Sequence, residues 1–195
     1  SGLNDQAKAI EDLRELIDAD EEDAAGWDKL GALLSATEDF EALADLFERR
    51  IDVTTDAAQQ RELRYRLANL LVEKLERSED AVNIYNDMIM AAPDDRVAAD
   101  ELELVLRKLE KWDEVRELVE RKLEQAEGEA RTELYAELAK VCEVRLEDAG
   151  DAIGIWQRAL AESPGLERAE SELRRLYESA ERWRDLAELS RGQME

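Results

Sequence analysis

The chain has 195 residues, of which 44% are hydrophobic and 40% charged, a balance typical of soluble, helix-rich proteins that excludes a disordered chain. Because it contains only 8 glycines and 2 prolines, we expect long helices joined by short turns and exclude an all-β fold. The 51 acidic and 27 basic residues give a formal charge of -24, which repels phosphate backbones and anionic lipids, so neither nucleic acid nor a membrane is an expected partner.

The apolar periodicity predicts about eleven helices in a single repeat domain over residues 1–195. The predicted elements are, in chain order, a helix at 5–18, four-helix units at 24–92 and 95–163, and a final helix pair at 166–192. Pro93 and Pro164 mark two of the breaks, because proline lacks a backbone N–H and suits the first turn of a following helix.

An internal repeat of 71 to 72 residues underlies this division. The segment DAVNIYNDMIMAAP, ending at Pro93, aligns with DAIGIWQRALAESP, ending at Pro164, and KAIEDLRELIDAD near the start of the chain repeats it once more. Further sets with the same spacing are Leu30, Leu102 and Leu173; Leu34, Leu106 and Tyr177; and Phe40, Trp112 and Trp183. Each set belongs to an apolar stripe with helical spacing, so every helix is predicted to bury one face.

The stretch GWDKLGALL carries a recognisable signature. Trp27, Leu30, Gly31 and Leu34 resemble the W-x2-L-G-x2-Y pattern of tetratricopeptide repeats (TPR). The resemblance implies an all-α, right-handed α-solenoid of antiparallel helix pairs, in which the first helix of each pair lines a concave groove. It also implies that another protein or a peptide binds in this groove.

Catalytic chemistry receives no support from the sequence. The chain has no histidine, which excludes Ser-His, Cys-His and His-metal sites, and it has no glycine-rich phosphate loop. The single cysteine, Cys142, lies on an apolar stripe and is predicted to be buried. The four tryptophans occupy apolar repeat positions and are predicted to pack between helices. We therefore expect no enzyme activity, no catalytic residue, no cofactor and no metal site.

The helical register selects a candidate partner-binding groove. Its predicted residues are Tyr65, Asn69, Asp100, Leu104, Arg107, Lys108, Lys140 and Arg175. Leu104 lies off the apolar stripe of its helix and is expected to be exposed. The four basic residues form a predicted basic strip for an acidic segment or a chain-terminal carboxylate. The alternative is that they pair with Glu133, Glu143 and Glu178 nearby.

The expected function is that of a protein-protein interaction module or scaffold, in which a partner lies in the groove. The alternative is a structural array element that self-associates end to end through its terminal helices. Because the chain starts and stops out of phase with its own repeat, we expect a fragment of a longer array. The cytoplasm is the expected compartment, unless a parent chain carried a signal that was removed.

Overall fold

The structure, a computed structural model, describes residues 2–192, and the side chains of residues 5–191. Over this range the chain forms eleven α-helices and no strand. The helices are α1 (Gly2–Ala19), α2 (Ala24–Ala36), α3 (Phe40–Val53), α4 (Ala57–Glu73), α5 (Ser78–Ala91), α6 (Arg96–Lys108), α7 (Trp112–Gln125), α8 (Gly128–Lys140), α9 (Ala149–Glu162), α10 (Glu167–Ser179) and α11 (Trp183–Gly192). A π-helical turn, Val141–Arg145, continues α8. None of these helices is long and apolar enough to cross a membrane.

The chain divides into two compact units, with the division inside α6 between Val105 and Leu106. In the first unit, each helix from α1 to α5 packs on the next, and in the second the same holds from α7 to α11. Because short connections join packed helices, neighbours run antiparallel. The ion pair of 2.7 Å from Arg50 Nη1, near the end of α3, to Asp28 Oδ1, near the start of α2, agrees with this direction. The predicted all-α architecture of helix pairs is confirmed.

The core consists of the residues that share the 71- to 72-residue spacing. Leu30, Leu102 and Leu173 are each at most 1% exposed. Other buried sets in register are Leu34, Leu106 and Tyr177; Leu67 and Leu138; Ala68 and Ala139; and Ala81 and Ala152. Cys142 is buried as predicted, and burial raises the pKa of its thiol. The prediction for tryptophan is wrong at one position, because Trp183 is 60% exposed.

Glutamate in a left-handed backbone conformation occupies a recurrent turn. Within residues 2–192, the non-glycine residues with positive φ are Glu38, Glu76, Glu110, Glu147 and Glu181, at 54° to 57°. Each follows the first helix of a pair, where the chain must reverse. In the α6–α7 turn, the N–H of Lys111 donates to the carbonyl of Leu106 at 3.0 Å, the 6→1 bond of a Schellman motif. Glycine is the usual residue at such a site, so the sequence pattern gave no signal for these turns.

A side chain from the following helix closes the C-terminus of the second helix in two pairs. The amide of Gln60 donates to the carbonyls of Ile51 (3.2 Å) and Thr54 (2.6 Å) at the end of α3. In the other unit, Arg131 of α8 donates to the carbonyls of Leu123 and Ala126 at the end of α7. Carbonyls at a helix end have no partner within the helix, so these donors satisfy them and fix the next helix in place.

A buried carboxylate ties α4 to the start of α6 in the first unit. Asp95, with a side chain 4% exposed, accepts two hydrogen bonds from Arg61, at 2.6 and 2.7 Å, and one from the Tyr65 hydroxyl at 2.9 Å. It also accepts from the N–H of Ala98 and so caps α6. The hydrogen bonds from Arg61 outweigh the cost of burial and lower the pKa of Asp95 from 3.8 to about 2.

We expect Asp95→Asn to lower the free energy of unfolding by about 2 kcal/mol at neutral pH, because one pKa unit corresponds to about 1.4 kcal/mol. The folded-state pKa lies below the unfolded value of 3.8, so this stabilisation is present above pH 3.8 and is lost as the pH falls towards about 2. Urea unfolding of both proteins across this range measures the difference. Asp56→Asn, at the N-cap of α4, is the matched control and should cost less. Equal losses in both variants would show that Arg61 contributes nothing through Asp95.

We expect Glu110→Gly to raise the free energy of unfolding by about 0.5–1 kcal/mol, because glycine adopts positive φ without the steric cost that a Cβ imposes. Glu117→Gly, an exposed position inside α7, is the matched control and should lose about 1 kcal/mol. Thermal or urea unfolding measures both changes. A loss of stability in Glu110→Gly would mean that its side chain contributes more than the backbone strain costs.

Candidate functional site

The residues predicted for the groove are divided between the two units. Tyr65, Asn69, Asp100 and Leu104 belong to the first unit, and Arg107, Lys108, Lys140 and Arg175 belong to the second. The helices that carry them are α4, α6, α8 and α10, the first helices of successive pairs.

In the first unit, two of the predicted groove residues are held by contacts within the fold. Tyr65 donates to Asp95, and the Arg61 guanidinium lies 4.9 Å from the centre of its ring. Burial and this hydrogen bond raise the pKa of Tyr65. The exposed amide of Asn69 accepts a hydrogen bond of 3.0 Å from Tyr85, whose pKa burial raises to about 12. Both side chains therefore stabilise helix packing.

Two other predicted residues of the first unit lie at the surface of α6. Leu104 is 62% exposed, which confirms the inference from its position off the apolar stripe. Asp100, one turn earlier, is also exposed. An exposed leucine on a regular helix offers apolar contact area, but a single side chain does not define a binding site.

The second unit contains a cavity of about 460 Å³ that α8 and the π-helical turn line together with the end of α6 and the start of α10. Its lining residues are Arg107, Glu133, Ala136, Glu137, Lys140, Val141, Val144, Arg145 and Arg168. The structure thus brings Arg107 and Lys140 together, as the register predicted. Lys108 and Arg175 are exposed but lie outside this lining.

Most charges of the cavity are paired with one another. Arg107 binds Glu137, and Arg168 Nη1 lies 2.5 Å from Glu133 Oε1. Lys140 is exposed and makes no ion pair with any residue that the structure describes. The wall therefore carries an ammonium group that is available to a ligand.

Outside the cavity, Arg175 pairs with nearby glutamates, which is the alternative to a basic strip that the sequence left open. Its guanidinium makes two hydrogen bonds to Glu143, at 2.8 and 2.6 Å, and a third to Glu172. This fork holds the pKa of the Glu143 carboxyl below its usual range. The Arg175 guanidinium and the Glu143 carboxylate therefore satisfy each other. Arg175 does not add an available cation to the predicted basic strip.

Several cavity residues were not part of the predicted groove, among them Val144 and Arg145. Val144 is 56% exposed, and the Arg145 guanidinium lies 4.5 Å from the centre of the Trp112 ring. Both belong to the π-helical turn, whose wider winding breaks the regular helical spacing on which the register depends. The sequence does contain a pattern that could have indicated the exposure of Val144. This residue lies off the apolar stripe of Leu138, Cys142 and Leu146, just as Leu104 lies off the stripe of α6.

Comparison with known proteins yields matches of fold only. No family model and no curated protein matches the chain. Among solved structures, it is similar to Naa15/Naa10 bound to HypK-THB, at 14% identity over 98% of this chain and 30% of that chain, with a TM-score of 0.60. It is also similar to a tetratricopeptide repeat protein from Parabacteroides merdae ATCC 43184, at 18% identity over 90% of this chain and 67% of that chain, with a TM-score of 0.48. A third is YrrB, a TPR protein with an unusual peptide-binding site, at 19% identity over 92% and 89% of the two chains, with a TM-score of 0.46.

The likeness with a TM-score of 0.60 agrees with the fold that the chain itself shows. Consecutive antiparallel helices pack in pairs, and the same buried positions return every 71 or 72 residues. The chain therefore has a TPR-like helical-repeat fold.

Proposed function

We propose that this protein is a non-catalytic interaction module whose second unit binds a short segment of a partner protein in the 460 Å³ cavity. The observation that carries the proposal is the pair formed by Lys140 and Val144. Two lining arginines are ion-paired and Arg145 lies over Trp112, whereas the ammonium of Lys140 has no ionic partner among the described residues, and Val144 exposes apolar surface beside it.

The size of the cavity suits a few side chains. Ligand pockets span about 300–1,000 Å³, so 460 Å³ is at the smaller end of that range. A partner segment with an acidic side chain next to an apolar one would pair its carboxylate with Lys140 and cover Val144. Because the whole chain carries a charge of -24, this attraction acts at short range against an overall repulsion of acidic partners.

The chemistry of the lining favours binding over catalysis. Its members are arginine, lysine, glutamate, alanine and valine, and both glutamates are paired with arginine. A carboxylate held in an ion pair is a poor general base, since the pairing stabilises its charged form. We therefore propose no enzyme activity and no cofactor for this site.

Selection of a phage-displayed peptide library on the full chain tests the proposal. We expect the selected peptides to contain an acidic residue close to an apolar one, and Lys140→Glu to weaken their binding at least about tenfold, because it replaces attraction by repulsion. Lys29→Glu, at an exposed position of α2 in the first unit, changes the net charge equally and should leave the affinity unchanged. Equal binding by all three proteins would place the interaction outside the cavity.

End-to-end self-association is a second candidate function, favoured by apolar residues exposed on both terminal helices. Leu16 of α1 is 45% exposed, and Trp183 of α11 is 60% exposed. This candidate predicts a molar mass that rises with concentration in multi-angle light scattering and a return to the monomer in Trp183→Ala. A mass that stays monomeric at all concentrations excludes it.

A further inference from the structure

The cavity of the second unit borders a position at which the first unit holds an aromatic ring. Tyr65 of α4 places its ring 6.1 Å from that of Tyr85 and donates its hydroxyl to Asp95, just before α6. The residue 71 positions after Tyr65 is Ala136 of α8, which lines the cavity. The large side chain that occupies this position in the first unit is therefore only a methyl group in the second.

The acceptor of the Tyr65 hydroxyl is replaced as well. The residue 71 positions after Asp95 is Leu166, which is half-buried just before α10. The start of α10 still lies close to α8, because Arg168 Nη1 is 2.5 Å from Glu133 Oε1 and both residues line the cavity. A buried hydroxyl without a partner costs free energy, so this space suits an aromatic ring without a hydroxyl, such as that of phenylalanine.

The charges of the lining also favour an aromatic occupant. The cations of the cavity wall are Arg107, Lys140, Arg145 and Arg168. In the first unit, the Arg61 guanidinium lies 4.9 Å from the centre of the Tyr65 ring. A cation attracts the negative face of an aromatic ring, and an aliphatic side chain has no such face. An aromatic side chain therefore gains more in this cavity than an aliphatic one of similar size.

Three lining residues define the spacing that a partner must have. Ala136, Lys140 and Val144 are four residues apart along α8 and the π-helical turn, so each lies about 6 Å from the next. In an extended peptide, alternate side chains point to the same side and are about 6.6 Å apart. Residues i, i+2 and i+4 of an extended segment therefore match these three positions.

We propose that the partner segment is extended and carries a phenylalanine, an acidic residue and an aliphatic residue at alternate positions. The ring fills the space beside Ala136, the carboxylate pairs with the ammonium of Lys140, and the aliphatic side chain covers Val144. This motif rests on the proposed function of the cavity and adds to it the aromatic residue and the spacing. The acidic residue is central, so the motif fits the three positions in either direction of the partner chain.

Labelled synthetic peptides with the cores FSESV and VSESF, each flanked by glycine and serine, probe the full chain by fluorescence anisotropy. We expect the tighter of the two to bind about three- to tenfold more weakly when leucine replaces its phenylalanine, since the attraction between ring and cations is lost. A peptide of the same composition with the phenylalanine, glutamate and valine contiguous should bind at least about tenfold more weakly. In extended form, its alternating side chains cannot reach all three positions.

Two alanines of α8 provide matched variants. Ala136→Phe supplies the ring from the protein itself and should weaken binding of the spaced peptide at least about tenfold, because the space is filled. Ala130→Phe adds the same ring at an exposed position outside the lining and should leave the affinity unchanged. Circular dichroism verifies that both variants remain helical. If Ala136→Phe does not fold, the comparison among peptides decides alone.

The motif and the cavity can fail separately. The motif is overturned if the leucine peptide or the contiguous peptide binds as tightly as the spaced phenylalanine peptide, or if Ala136→Phe leaves binding intact. It is also overturned if neither spaced peptide binds. In each case the phage-displayed library, which presupposes no motif, tests the proposed function by itself: peptides that it selects and that Lys140→Glu weakens would leave that function standing.

Discussion

The whole structure depends on the burial of one apolar stripe per helix against the next helix along the chain. Leu30 and Leu173 are almost fully buried because each lies on a helix packed against chain neighbours, and no helix of 13 residues is stable alone in water. Stability is therefore local to each group of neighbouring helices. Within the described residues, α1 packs on α2 and α11 packs on α10, so each has a single substantial helical neighbour.

Ion pairs between elements offset part of the repulsion among the many acidic residues. Arginine residues join elements that are not consecutive: Arg61 binds Asp95 across α4 and α6, and Arg175 binds Glu143 across α10 and the π-helical turn. The exposed pair of Arg175 with Glu143 adds little stability, whereas breaking the pair with the buried Asp95 is costly because it leaves that carboxylate with neither its cation nor water. Of the cations that line the cavity, Arg107 and Arg168 are used in this way and Arg145 lies over Trp112, so Lys140 is the lining cation that no described carboxylate or ring engages.

The fold could be predicted from the sequence, because the apolar stripe of each helix and the repeat period depend only on the spacing of apolar residues along the chain. It also predicted the burial of Cys142 and the exposure of Leu104, both of which follow from helical spacing. The π-helical turn was not predictable, because its apolar residues continue the spacing of α8 until the winding changes. The left-handed glutamates gave no signal, since the chain reverses there without glycine. Trp183 was misread because its position in the repeat is apolar, whereas its burial depends on a neighbouring helix.

Candidate function is found where this repeat departs from its own regularity. A side chain that packs in register is constrained by its neighbours, as Tyr65 and Asn69 are, and has little left to offer a partner. The π-helical turn lies beside Lys140 and contains Val144, and it is here that the second unit has its cavity. On α11 the departure is that Trp183 is exposed and that Leu186 and Leu189 are half-buried, whereas the residues at the two leucine positions are buried in α3 and α7. In a fold built of similar repeats, a difference in burial or contacts between equivalent positions is thus more informative about binding than the residue type at a single position.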